Sequence, residues 1–90
     1  MIEDQWPGYI RRLLYPVLFE ADPVNGIDRV LTQVVYKSSV EATPQDYLVA
    51  IRMALASEQA LADLLPQNHT EETIRHFLLG LQRRLEVDNP

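Results

Sequence analysis

Thr43-Pro44-Gln45-Asp46-Tyr47-Leu48-Val49-Ala50-Ile51-Arg52-Met53-Ala54-Leu55 carries a helix start and a helix face in one stretch. A threonine hydroxyl can accept from the amides two and three positions on, and proline fits the first helical turn. Asp46 stands where a capping box places its acid, at the positive helix end. Behind this cap, Tyr47, Leu48, Ile51, Ala54 and Leu55 fall on one helical face. The stretch therefore predicts an amphipathic helix, and the same period recurs on both sides of it.

Upstream, Ile10, Leu13, Leu14, Val17 and Leu18 keep helical spacing within a segment from Pro7 to Phe19. Pro16 removes a backbone donor and clashes with the carbonyl four residues back, so a kink or a break after Leu14 is expected. Asp22-Pro23 is a second start signal, which Asn25-Gly26 can prolong as a turn. Ile27, Val30, Leu31, Val34 and Val35 then form an apolar face opposite Asp28, Arg29, Thr32 and Gln33. The β-branched content makes a strand the competing reading, but the opposed polar face favours helix. Lys37-Ser38-Ser39 ends it.

Downstream, Ser57-Glu58 can open a short helix bearing Leu61, Leu64 and Leu65, which Pro66 stops. Thr70 is expected to cap the last helix, whose stripe is Ile74, Phe77, Leu78, Leu81 and Leu85. Glu71 and Glu72 open that helix and Arg83 and Arg84 close it, an order matched to the helix dipole. Gly80 lies inside it, tolerated or serving a close helix contact. The expectation is an all-α single domain over 1–90, a small bundle of four to five short helices, with 1–5 and 87–90 frayed.

The charge is unevenly placed. The chain has 90 residues and a formal net charge of −5. Residues 38–72 hold six acids, Glu41, Asp46, Glu58, Asp63, Glu71 and Glu72, against the single base Arg52. That stretch alone carries −5, because residues 1–37 sum to −1 and residues 73–90 to +1. Net acidity opposes nucleic-acid binding, which needs clustered Lys and Arg to displace counterions. The doublets Arg11-Arg12 and Arg83-Arg84 sit in the C-terminal halves of expected helices, where cations suit the dipole.

There are no cysteines, which excludes disulfides, thiolate metal sites and Cys nucleophiles. The acidic start Met1-Ile2-Glu3-Asp4 has no apolar run behind it and does not read as a signal peptide. No apolar stretch approaches the roughly 20 residues of a membrane helix. The cytoplasm is the expected compartment, and no membrane contact is expected.

Reactive constellations are sparse. Glu72 and His76 are at i, i+4, and His69 stands before the helix, giving His69-x-x-Glu72-x-x-x-His76. Catalytic zinc generally takes three protein ligands, and a pre-helical His69 fills that role poorly. Ser38, Ser39 and Ser57 occupy turn or cap positions without a glycine elbow. Gly8, Gly26 and Gly80 form no phosphate-binding pattern. No catalytic residue, metal or cofactor is assigned, and the chain is read as a binding protein rather than an enzyme.

The stretches Thr43-Pro44-Gln45-Asp46-Tyr47 through Ala54-Leu55-Ala56-Ser57, Leu64-Leu65-Pro66-Gln67 and Thr70-Glu71-Glu72-Thr73-Ile74-Arg75 resemble small bacterial immunity proteins. The resemblance is to those paired with contact-dependent growth-inhibition toxins, and it covers about half the chain. It implies a cytoplasmic antidote that binds a cognate toxin domain, often a basic nuclease, and blocks it. No family binding residue maps onto a position here. From the residues themselves, the expected partner-binding set is Glu41, Asp46, Tyr47, Glu58, Asp63, Glu71 and Glu72, with Tyr47 as aromatic anchor. The alternative is a small acidic adaptor or regulatory protein, phage-encoded, that binds another basic protein; gene neighbourhood separates the two. A bundle this small can also form a homodimer to hide surplus apolar surface.

Overall fold

The computed structural model describes residues 2–37 and 43–88, with side-chain burial from residue 5 onward. Helix α1 spans Ile2–Leu14, α2 Ile27–Val30, α3 Pro44–Ala56 and α4 Glu71–Asp88. Among the described residues there is no strand. The chain is thus an all-α bundle. α1 packs chiefly on α3, α3 also packs on α4, and α2 rests on α4.

Each helix has a local cause. The Asp46 amide donates to Thr43 Oγ1 at 3.2 Å, and the Thr43 amide donates to Asp46 Oδ2 at 3.0 Å. That reciprocal cap is the one expected from Thr43-Pro44-Gln45-Asp46. The Thr73 amide donates to Thr70 Oγ1 at 3.1 Å and opens α4. α1 starts at Ile2, ahead of the expected Pro7, and runs through that proline. It ends at Leu14, and Tyr15–Val17 tighten into a 3₁₀ turn around Pro16. Asp22 Oδ1 accepts from the Val24 amide at 3.1 Å and caps a second 3₁₀ turn, Pro23–Gly26.

Two elements depart from expectation. α2 is α-helical only to Val30; over Leu31–Val35 it widens into a π turn, with the Tyr36 amide donating to the Leu31 carbonyl at 2.7 Å. Thr32, Val34 and Val35 are β-branched, which lowers α-helical propensity slightly over this turn. Ser57-Glu58 opens no helix. Ser57 Oγ instead accepts from the Gln59 amide at 2.9 Å, and only Leu61–Asp63 form a 3₁₀ turn.

The core is wholly apolar among the described residues. Ile10, Leu13, Val17, Val30, Ile51, Ala54, Leu61, Ile74, Phe77, Leu78, Leu81 and Leu85 are fully buried, and no polar side chain joins them. Trp6 packs against this core at its edge. Two glycines serve close approach. A Cβ on Gly26 would lie 2.5 Å from Val17 Cγ1, and one on Gly80 would lie 2.8 Å from Ile27 Cδ1. No helix of the described residues is long and apolar enough to cross a membrane.

Candidate functional site

The expected acids divide between two ends of the molecule. Asp46 sits at the start of α3 with its carboxylate committed to the Thr43 amide. Ser57 lies eleven residues further along, about 16 Å at the helical rise. Glu58 and Asp63 belong to this far end, in the α3–α4 connector, and Glu71 and Glu72 open α4 beside them. Glu41 lies outside the described residues.

Tyr47 is not a surface anchor. It is 3% exposed and meets Tyr9 edge-on, with ring centroids 5.3 Å apart and planes at 86°. Its position on the apolar stripe of α3 wins over its proximity to Asp46, since burying an aromatic ring adds a large hydrophobic gain.

Glu71 is also structural. Its Oε1 accepts from the Ala62 amide at 2.8 Å, and its Oε2 accepts from Arg75 Nε at 2.7 Å. Partial desolvation pushes its carboxyl upward. The amides of Ala62 and Leu61, and then Arg75, outweigh that and hold its pKa below the ordinary 4.5. Arg75 continues the network. Its guanidinium donates to the carbonyls of Leu55 at 3.2 Å, Ser57 at 3.0 Å and Gln59 at 3.1 Å. The last carbonyls of a helix have no partner inside it. Arg75 fills that role for the end of α3 from another helix, and it draws the 57–59 carbonyls away from helical pairing.

Arg75 escaped the sequence reading because its partners lie 16 to 20 residues away. The one sequence signal was Glu71 at i−4, a helix ion-pair spacing. Arg11 acts similarly: its Nε donates to the Leu64 carbonyl at 2.8 Å.

What remains exposed at this end is Glu58, Asp63 and Glu72. Among the described residues none of the three has an ion-pair partner; the acids so paired are Glu20, Asp28, Glu71 and Glu86. Arg52, the lone base of the acidic stretch, reaches across to Glu86 at 3.0 Å rather than to its sequence neighbours. The 17–22 segment borders the same end. His69 Nε2 donates to the Val17 carbonyl at 2.8 Å, which ties its start. Ala21 and Asp22 line an open cleft with Glu72, Thr73 and His76.

His69, Glu72 and His76 do not make a metal centre. The His69 ring is engaged with Val17, and no group of three His, Asp or Glu side chains among the described residues is arranged to hold an ion. Ser57, the one described serine, accepts from the Gln59 amide through its hydroxyl oxygen. The arrangement can therefore offer negative charge and hydrogen-bond acceptors to a partner.

Comparison with known proteins adds no relative: the chain matches no protein-family model, no curated protein and no solved structure.

Proposed function

We propose that the chain is an immunity-type inhibitor that binds a basic protein toxin through the α3–α4 end of the bundle. The observation that carries this reading is the unpaired state of Glu58, Asp63 and Glu72, all exposed at one end of a chain with net charge −5. Exposed and without a paired cation among the described residues, each of these groups keeps its charge available to a partner. Left open, it creates a negative potential that speeds docking of a positive surface and rejects acidic competitors. Of the seven expected contact residues, Glu58, Asp63 and Glu72 are the described ones still open, and Glu41 lies outside the described residues. Asp46, Tyr47 and Glu71 serve the fold.

The test uses the polypeptide encoded directly upstream of this chain's gene, the position an immunity gene's toxin occupies. The expected result is a stable complex whose association rate falls steeply with salt, and loss of most of that salt dependence in the triple variant E58K/D63K/E72K. An absence of binding to that polypeptide, or a triple variant that binds with unchanged rate and salt dependence, sinks the reading.

A further inference from the structure

Phe19 is 96% exposed, the most exposed large apolar side chain among the described residues. Its exposure is not that of a loose loop. The Glu20 amide donates to the Val17 carbonyl at 3.2 Å, and the Leu18 amide donates to the Tyr15 carbonyl at 3.4 Å. Arg29 Nη2 bridges the Pro16 carbonyl at 2.7 Å and Glu20 Oε1 at 2.8 Å. His69 holds the Val17 carbonyl from the other side. Leu18 is packed against the core, which aims its neighbour outward. The chain on either side of Phe19 is therefore held by hydrogen bonds while the ring stands in solvent.

Beside it Glu20 is neutralised by Arg29, and the acid left open on this segment is Asp22. Asp22 is three residues away, at most about 11 Å along the chain. It lines the cleft with Glu72, and both are exposed with no ion-pair partner among the described residues. An exposed aromatic ring on a held backbone, close in the chain to an open acid that shares a cleft with Glu72, suits an interface anchor, because the backbone beneath it is already ordered before binding.

We propose that Phe19 is the aromatic anchor of the partner interface, inserting into an apolar socket rimmed by Lys or Arg on a basic protein. Asp22 and Glu72 meet that rim. The charge argues against a second copy as occupant, since pairing two Phe19 faces would set Asp22 and Glu72 of each copy against like charge. This inference rests on the reading of the chain as a binder of a basic protein, and it moves the anchor from buried Tyr47 to Phe19.

The probe is a random twelve-residue peptide library panned on the full chain, with recovered peptides synthesised and titrated by fluorescence anisotropy. The expected peptides combine Lys or Arg with apolar side chains. F19A weakens them at least about tenfold, D22N/E72Q weakens them and flattens their salt dependence, and V87A, at the far end of α4, leaves them unchanged. D22N keeps the cap oxygen that holds Val24, and Phe19 buries almost nothing, so all variants should melt like the parent. Basic peptides indifferent to F19A overturn the anchor and leave the acidic reading standing. Apolar peptides that depend on Phe19 but ignore D22N/E72Q and salt overturn the basic partner. Recovery of no Phe19-dependent peptide, or a concentration-dependent dimer in sedimentation that F19A abolishes, overturns the proposal.

Discussion

Two corners of the bundle are each organised by one arginine, and they end differently. At the α3–α4 corner, Arg75 serves Glu71 and the carbonyls of Leu55, Ser57 and Gln59, and its side chain is 30% exposed. At the α1–α2 corner, Arg29 serves the Pro16 carbonyl and Glu20, and it is 40% exposed. The first arginine closes a helix end and joins two helices. The second only braces a turn, and above that turn Phe19 points to solvent. Cross-linking of orphan carbonyls holds the fold; bracing without covering holds a surface feature in place.

The sharpest way to break the comparison is Arg75→Ala. It removes a charged donor from three carbonyls and leaves Glu71 without its ion partner. The expected loss is about 2–4 kcal/mol, because hydrogen bonds to charged groups outweigh neutral ones. Urea unfolding monitored by circular dichroism measures it. A loss below about 1 kcal/mol would mean that water replaces the guanidinium adequately.

Arg29→Ala should cost less, about 1 kcal/mol, since its ion pair with Glu20 is exposed and it holds one carbonyl, Pro16, where Arg75 holds three. For a domain of this size that corresponds to a fall in Tm of roughly 4–8 °C. Amide exchange should quicken at Leu18 and Glu20 while the α3–α4 corner stays protected. Equal acceleration at both corners would show that they are not independent.

The smallest effect concerns pH. Glu71 has a lowered pKa in the folded state, so the unfolded chain binds its proton more readily. Its contribution is present above the ordinary 4.5 and is lost as pH falls through the lower folded value. The group is partly solvated, so the discounted magnitude is about 0.5 kcal/mol. Stability measured from pH 6 down to pH 3 should therefore fall slightly less steeply in Glu71→Gln than in the parent. An identical slope would place the acid sensitivity elsewhere.

Much of the architecture was legible because its causes are local. The Thr43 and Thr70 caps act over three residues, Pro16 acts on its own turn, and the stripes of α3 and α4 are fixed by period. The same stripe that placed Tyr47 in the core contradicted its use as an anchor, and the structure resolves the conflict in favour of packing. Phe19 stands 96% exposed, although nothing in the sequence set it apart from the other aromatics in helical segments at core-compatible spacings. The missing helix at Ser57-Glu58 has a local part, the Ser57 Oγ bond to the Gln59 amide, and a part that was not readable, the Arg75 bonds to the Ser57 and Gln59 carbonyls from another part of the chain.

The sequence by itself determined the helical class, the positions of the main caps and breaks, and which faces are apolar, since each follows from interactions within four residues. It also determined the excess negative charge. Asp46 joined the scaffold through its local cap, as the sequence foretold. Only the tertiary structure decided the rest: Glu71 also took the Ala62 amide, Arg52 went to Glu86, and Glu58, Asp63 and Glu72 stayed exposed, because contacts between separate segments depend on distances in space that no local pattern encodes.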